Sequence, residues 1–419
     1  MSLKKSSLKF SLDKYFSKIN RSNINHNQYP LLENAFSKDD IFAAIEVILS
    51  KKITMSEVTK NFEYEFGKFI GSKYALMTNS GSSANLLAAF TMINPKRKFF
   101  LKPGDYFAIP AICWSTSLWP FVQSGLKPIF VDVNIDNYCL DEATLEKNLL
   151  KKIKLIVDIH VLGNCSNINL ISKLAKKNNV LLFEDTCESL GSTYNSKYLG
   201  TFGDFGTYSF YYSHQITAGE GGMLICKNKE DYEIAYTLRA HGWDRGLKKN
   251  NHKSFNFINS GFNLRPLDIS AAIGLSQFKR LNKMMSVRKE NRDLIISTIE
   301  NHNNYKNQFI FFQENKNLKA SWFGLPILLR PDLKNKKNKF LKYLNLNKIE
   351  TRPIISGNFL NQPAAKLYKY TNKNMTKYFP VSQDIEERGF FIGLPTAKIH
   401  NHQLNHLVNK LVNFDGFLK

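Results

Sequence analysis

The sequence is short of acidic residues, of long apolar runs and of cysteine, and each shortage excludes something. Only 35 of its 419 residues are Asp or Glu against 58 Lys and Arg, a formal net charge of +23. Positive charge on that scale would suit a nucleic acid if it were gathered into a stripe. Here the lysines run through the whole chain among many Asn and Ile residues, as in a general compositional bias. No nucleic-acid partner is expected, and the surplus charge would serve instead to attract an anionic, phosphate-bearing substrate. The longest apolar runs, such as LIVDIHVLG, are too short and too polar to span a bilayer, so no membrane partner is expected. Five cysteines (Cys113, Cys139, Cys165, Cys187, Cys226) without paired spacing argue against a disulfide scaffold and against a zinc site. The polar opening MSLKKSSLKFSLDKYF lacks the charged-then-apolar pattern of a secretion signal. A cytoplasmic protein with reduced thiols is the expectation.

What is present is a core and a rhythm. Hydrophobic residues make up 43% and aromatics 13%, ample for a buried interior. Residues 1–27 read as a flexible basic arm. SEVTKNFEYEFGKFIG then places Val58, Phe62, Phe66, Phe69 and Ile70 on one helical face and stops at Gly71. Strand-like and helix-like stretches alternate after it: KYALMTN, SSANLLAAFTMI, DYFAIPAICW, KPIFVDV, KLIVDIHVLG, INLISKLAKKN and VLLFED. That alternation predicts an α/β fold, a mostly parallel sheet with helices on both faces, over residues 28–288. A long helical stretch from about Leu267 joins it to a smaller C-terminal α+β domain over residues 289–419.

Four features carry chemistry. TNSGSSAN (Thr78 to Asn85) sits between a strand and a helix, where amides and hydroxyls at the positive helix end make a phosphate cradle. Asp185 closes the apolar strand VLLFED, at the carboxyl edge where open α/β sheets bind ligands. A carboxylate there can keep a ring nitrogen protonated, or simply cap a turn; Glu188 can reach a ring hydroxyl or face solvent. Trp114 follows another strand end, where an indole can stack on a flat ring or serve the core. Finally SFYYSHQITAGEGGML (Ser209 to Leu224) reads as a strand over Ser209–Ser213, a turn bearing His214, and Gly221–Gly222 leading into a second strand. No lysine lies between Lys197 and Lys227. HNHQLNH (His400, His402, His406) lacks a nearby carboxylate or cysteine, and no metal site is expected there.

In this order, these features resemble the DegT/DnrJ/EryC1/StrS sugar aminotransferase family, from Tyr29 to the C-terminus. GFNLRP, GLPTA, FVDV, LGN, TFG and TRPIISGNF belong to the resemblance. YYSHQ and RAHGW are similar to its lysine-less branch, the 3-dehydratases of GDP-4-keto-6-deoxymannose. The resemblance implies a fold-type I PLP-dependent transferase fold. It also implies a homodimer with shared active sites and a place in deoxysugar biosynthesis for lipopolysaccharide O-antigen. Pyridoxal 5′-phosphate and pyridoxamine 5′-phosphate are the implied cofactors. Ser82, Ser83 and Ser209 would hold the phosphate, with Asn263 reaching in from the neighbouring subunit. Asp185 would pair with the pyridine nitrogen, Trp114 would stack on the ring, and Glu188 would meet its hydroxyl. His241, Arg245, Arg352 and Asn358 would contact the nucleotide sugar.

The departure from the wider family is the missing lysine, which elsewhere anchors the cofactor as an imine and shuttles protons. Histidine cannot form the imine but can carry the proton, with an ordinary pKa near about 6.5 and both protonation states present near neutrality. The cofactor would therefore sit unlinked, receive its amine from a donor (glutamate is implied), and serve a dehydration with His214 as acid–base. The product would be a 3-deoxy-4-keto sugar. Competing readings are, first, a catalytically silent aminotransferase-fold regulator or nucleic-acid-binding protein and, second, an iron–sulfur CDP-sugar dehydratase. The second needs clustered cysteines, and none follows Cys226.

Overall fold

A computed structural model gives the fold and describes residues 2–22, 28–32, 36–247, 255–312, 314, 317–370 and 375–418. The first half contains helices α1 (Ser2–Ser22), α2 (Lys38–Ser50) and α3 (Glu57–Ile70), strand β1 (Ala75–Thr78), α4 (Gly81–Met92), β2 (Tyr106–Pro110), α5 (Ser115–Gln123) and β3 (Lys127–Val131). Then come α6 (Lys147–Lys152), β4 (Ile153–Ile159), α7 (Ile168–Lys177), β5 (Leu181–Asp185), the short β6 (Thr193–Tyr194) and β7 (Lys197–Tyr198), β8 (Phe205–Ser209) and β9 (Gly222–Cys226). The second half holds α8 (Lys229–Arg239), α9 (Asp268–Phe278), α10 (Leu281–Glu300), β10 (Phe309–Phe311), β11 (Leu318–Lys319), β12 (Gly324–Leu329), β13 (Thr351–Arg352) and β14 (Gly389–Gly393).

Local sequence explains several of these boundaries. Phe62, Phe66 and Ile70 recur every four residues along α3 and are buried on one face. The helix ends because Gly71 adopts φ 76°, a left-handed conformation that glycine takes without a Cβ penalty. At the start of α2, Ser37 and Asp40 form a reciprocal capping box. β4 and β5 read as near-continuous apolar runs because helices cover both faces of their sheet.

Seven strands make the large sheet in the order β1-β9-β8-β5-β4-β2-β3. The pairs β2·β3, β2·β4, β4·β5 and β5·β8 are parallel, whereas β9 is antiparallel to both β8 and β1. Six strands therefore point one way and β9 alone opposes them. A four-stranded antiparallel sheet, β10-β12-β14-β13, forms the smaller C-terminal part. The expected α/β architecture is present, and α10 runs through residue 288, so the join between the two parts lies inside a helix.

Three expectations need correction. The N-terminal arm, expected to be flexible, is helical over Ser2–Ser22, and Asp13 pairs with Lys38 of α2 at 2.5 Å; positions 23–27 lie outside the described residues. The strand expected over Ser209–Ser213 is instead β8, which ends at Ser209. Beyond Ser209 the chain turns, with the His214 amide donating to the Tyr211 carbonyl at 3.0 Å. The strand-forming character of Tyr211 and Tyr212 is overridden because both side chains line a cavity. The single long helix expected from Leu267 breaks at Lys279–Arg280, where Arg280 turns to pair with buried Asp40 at 2.6 Å. None of the described helices is long and apolar enough to cross a membrane.

Candidate active site

With six strands aligned, the carboxyl ends of β1, β2, β4, β5 and β8 open on one edge of the sheet, the edge at which open α/β sheets bind ligands. A cavity of about 750 Å³ lies there. Its floor is built from residues just past those strand ends: Ser82, Trp114, His160, Asp185 and Ser209. Phe323, Arg352 and Phe391 close it from the side of the small sheet.

The cradle forms where β1 hands over to α4. Ser80 caps the helix, its hydroxyl accepting the Ser83 amide at 3.0 Å. The first-turn amides that follow point at the cavity end, where the helix dipole favours an anion. Ser82 exchanges a 2.8 Å hydrogen bond with Thr116. Space is tight behind this turn. A Cβ on Gly222 would lie 2.3 Å from the Ser80 carbonyl oxygen, and one on Gly81 would lie 2.6 Å from the Ser209 Cβ. Gly222, after the His214 turn, therefore lets β9 pass directly beneath the cradle.

Asp185 is buried at the end of β5 and fixed from two sides. Its Oδ2 accepts from the Ser117 hydroxyl at 2.7 Å and from Asn85 Nδ2 at 2.9 Å. Its Oδ1 accepts only the longer bond from the Cys187 amide at 3.2 Å. Asn85 is itself held by Thr207, whose hydroxyl donates to Asn85 Oδ1 at 2.6 Å. This network ties α4, α5, β5 and β8 into one rigid carboxylate mount. Trp114 stands at the cavity wall with 56% of its surface uncovered, an indole face free to stack.

Two half-buried ionisable groups near the turn have displaced pKa values. Burial pushes the Glu188 carboxyl up to about 7, against the lowering effect of the Leu162 amide that donates to it at 3.0 Å; the charge of Asp185 adds to the rise. Burial, with the nearby Arg288 guanidinium, pushes the His214 imidazole down to about 3. This corrects the expectation of two protonation states near neutrality: in the ligand-free protein His214 is an uncharged base. Its ring packs edge-on against Phe323 at 5.0 Å and Tyr211 at 6.0 Å, and its Nδ1 is buried without a partner.

Of the residues singled out from sequence, Ser82, Trp114, Asp185, Glu188, Ser209, His214 and Arg352 line one cavity. Ser83 is turned into the cap, its hydroxyl 3.0 Å from that of Ser80. Asn358 is buried among its own chain's groups, its Oδ1 accepting the Leu360 amide at 3.2 Å and its Nδ2 donating to Gln383 at 3.3 Å. His241, Arg245 and Asn263 are exposed and lie outside the cavity. A backbone bridge between Ala240 and Asn263 brings that segment together. Sequence reading missed Asn85, Ser117, His160 and Arg288. Asn85 was discoverable as the one amide among the apolar residues of SANLLAAF. Arg288 left no trace, because a basic residue in a basic helix looks solvated.

These residues suit a phosphorylated pyridine: an anion cradle, a strand-end carboxylate with a lightly used oxygen, and an exposed indole. Among the described residues, no lysine lines the cavity. Fold and site together define a class first, the fold-type I frame of pyridoxal-phosphate enzymes. The model of the DegT/DnrJ/EryC1/StrS aminotransferase family matches residues 35–412, and the chain belongs to that family. It is 36% identical over 388 residues to the GDP-4-keto-6-deoxy-D-mannose 3-dehydratase of Escherichia coli O55:H7, covering 90% of this chain and 96% of that protein. Among solved structures it is similar to the E. coli 3-dehydratase with bound hydrated PLP (TM-score 0.81, 34% identity, 92% of this chain and 99% of that one). A GDP-4-keto-6-deoxymannose-3-dehydratase with a trapped PLP-glutamate geminal diamine gives TM-score 0.82 at 34% identity, covering 91% of this chain and all 100% of the other.

Proposed function

We propose that this protein is a pyridoxal/pyridoxamine 5′-phosphate-dependent 3-dehydratase of a nucleotide-linked 4-keto-6-deoxy sugar, GDP-4-keto-6-deoxymannose, with glutamate as amino donor. The observation that carries this reading is the histidine turn. His214, not lysine, occupies the strand-to-glycine turn, half-buried and uncharged, in a cavity with no lysine among the described residues of its lining. When bound, the cofactor supplies an amine for the 4-keto group and a protonated ring that accepts electrons from a broken bond.

The chain's own residues do the rest. Ser82, Ser209 and the α4 amides would hold the phosphate, and Asp185 would pair with the ring nitrogen through Oδ1, since Asn85 and Ser117 occupy its other oxygen. Trp114 covers one ring face. With the cofactor bound, uncharged His214 would be the group that accepts a proton at the cofactor's exocyclic carbon and delivers one to the departing 3-hydroxyl, which would leave as water. Without a lysine to displace the nitrogen, the unsaturated amino sugar leaves and hydrolyses. The sum balances: glutamate and the 4-keto-6-deoxy sugar become 2-oxoglutarate, ammonia and a 3,6-dideoxy-4-keto sugar.

We assign Arg352, on β13 at the cavity wall, to the sugar nucleotide. We assign the exposed His241, Arg245 and Asn263 to the cavity of a second copy in a homodimer. Mass spectrometry of the products tests the reading. A sugar nucleotide one oxygen atom lighter, with equimolar ammonia and 2-oxoglutarate, is expected; a 4-amino sugar as the main product would overturn it.

A further inference from the structure

Arg288 is the largest buried cation beside the cavity that the chemistry above leaves unused. It projects from α10 with 2% of its surface exposed. Its guanidinium forks between two segments: Nη2 donates to the His214 carbonyl at 3.2 Å and Nη1 to the Trp322 carbonyl at 3.3 Å. Its Nε has no partner, and among the described residues no carboxylate lies within ion-pair distance of it. A buried arginine normally takes a carboxylate, because an uncompensated charge is costly. Here it takes two backbone carbonyls, and both belong to segments that frame His214. One is the turn itself; the other leads into β12 through Phe323, against which the imidazole packs. Neighbouring Gln215 reinforces the same joint, donating to the Ser321 carbonyl at 3.1 Å and to the Glu188 carbonyl.

We propose that Arg288 is a positioning residue for the dehydration: it clamps the His214 turn to the small domain and holds a fixed positive charge behind the imidazole. This rests on the function proposed above. A cation behind His214 favours the neutral ring that accepts the first proton. Once the proton is aboard, the same cation makes the imidazolium a stronger acid toward the departing hydroxyl. The charge thus keeps the ring neutral before the reaction at some cost in basicity, and it favours the second transfer, the return of the proton to the departing hydroxyl. The lowered proton affinity of His214, to which Arg288 contributes after burial, agrees with this arrangement. Among the described residues, the other ionisable groups facing the cavity are His160 past β4, Asp185 at the end of β5 with Cys187 and Glu188 beyond it, Tyr211, Tyr212 and Glu220 on the His214 loop, and Glu350 and Arg352 near β13. Of all of these, Arg288 alone contacts the His214 backbone from outside the turn.

The electrostatic arm of the test uses the cofactor-free protein, so it stands even if no sugar nucleotide is turned over; the clamp is read from turnover of the loaded enzyme. The His214 ring is titrated by nuclear magnetic resonance with labelled histidine, its signal assigned by comparison with His214→Asn. In Arg288→Gln, which keeps an N–H donor and removes the charge, the titration should rise by about one pH unit or more, the usual reach of a neighbouring charge. An unmoved titration would overturn the electrostatic role. Arg288→Lys keeps charge and loses the fork; its titration should stay near that of the parent while kcat falls about tenfold or more, as misplacement of a reacting group produces. A lysine variant with parental kcat would overturn the clamp, and it decides the matter should the glutamine variant fail to fold.

Discussion

Two histidines line the same cavity, His160 buried and His214 half-buried, and their surroundings make them opposites. His214 lies beside Arg288, has no hydrogen-bond partner on Nδ1, and is driven to the neutral form. His160, just past β4, bonds through Nε2 to Glu184 at 3.0 Å. Burial alone would lower its pKa as well, but the bond to Glu184 and the charge of Asp158 outweigh burial and raise it. Glu184 is anchored in turn by three backbone amides: Gly200 at 2.7 Å, Phe202 at 2.6 Å and Gly203 at 2.7 Å. The partner, not the residue type, separates a group free to move a proton from one locked into the scaffold.

Breaking the reactive member of the pair should have the largest effect. His214→Asn removes the titrating group and keeps its approximate size and polarity. Turnover should fall at least about a hundredfold, the lower end for losing a general acid–base, with cofactor affinity retained. Steady-state kinetics beside a cofactor titration separates the two. Breaking the structural member should act on stability instead. Glu184→Gln turns an amide NH₂ toward backbone donors and strips His160 of its charge partner; a loss of about 3 kcal/mol is expected in denaturant unfolding.

The two histidines should also answer acid oppositely. His214 has a folded pKa near 3, below its unfolded value, so between about pH 6.5 and 3 the unfolded chain binds a proton that the folded one cannot. Its burial therefore costs stability progressively as pH falls through that window, and His214→Asn should flatten the acid limb of the stability curve. His160 has a raised folded pKa, so its contribution is present below its unfolded pKa and is lost as pH rises through the folded value. His160→Gln should remove a stabilisation seen on the acid side. Unfolding midpoints measured from pH 4 to 8 check both signs, and equal slopes in the two variants would erase the contrast.

The contrast also shows what was legible in the sequence. Strand and helix order could be read because apolar periodicity records burial directly. Asp185, Ser82 and Trp114 could be read because strand-end and helix-start positions fix where a residue points. The end of β8 could not, since Tyr211 and Tyr212 have strand propensity but serve the cavity. Nor could the neutral state of His214, because Arg288 reaches it from 74 residues away along the chain. Long-range partners leave no local pattern, and they set the proton affinities.

The central claim is that a proton carrier stands where a lysine would hold the cofactor, and borohydride reduction tests it most directly. The protein is loaded with pyridoxal 5′-phosphate, reduced, freed of small molecules and weighed by intact-mass spectrometry. The parent should keep the mass of the bare chain, because none of the described cavity residues is a lysine able to form a reducible link, whereas His214→Lys should gain one pyridoxyl group. A pyridoxyl group fixed on a lysine of the parent's active site would contradict the account.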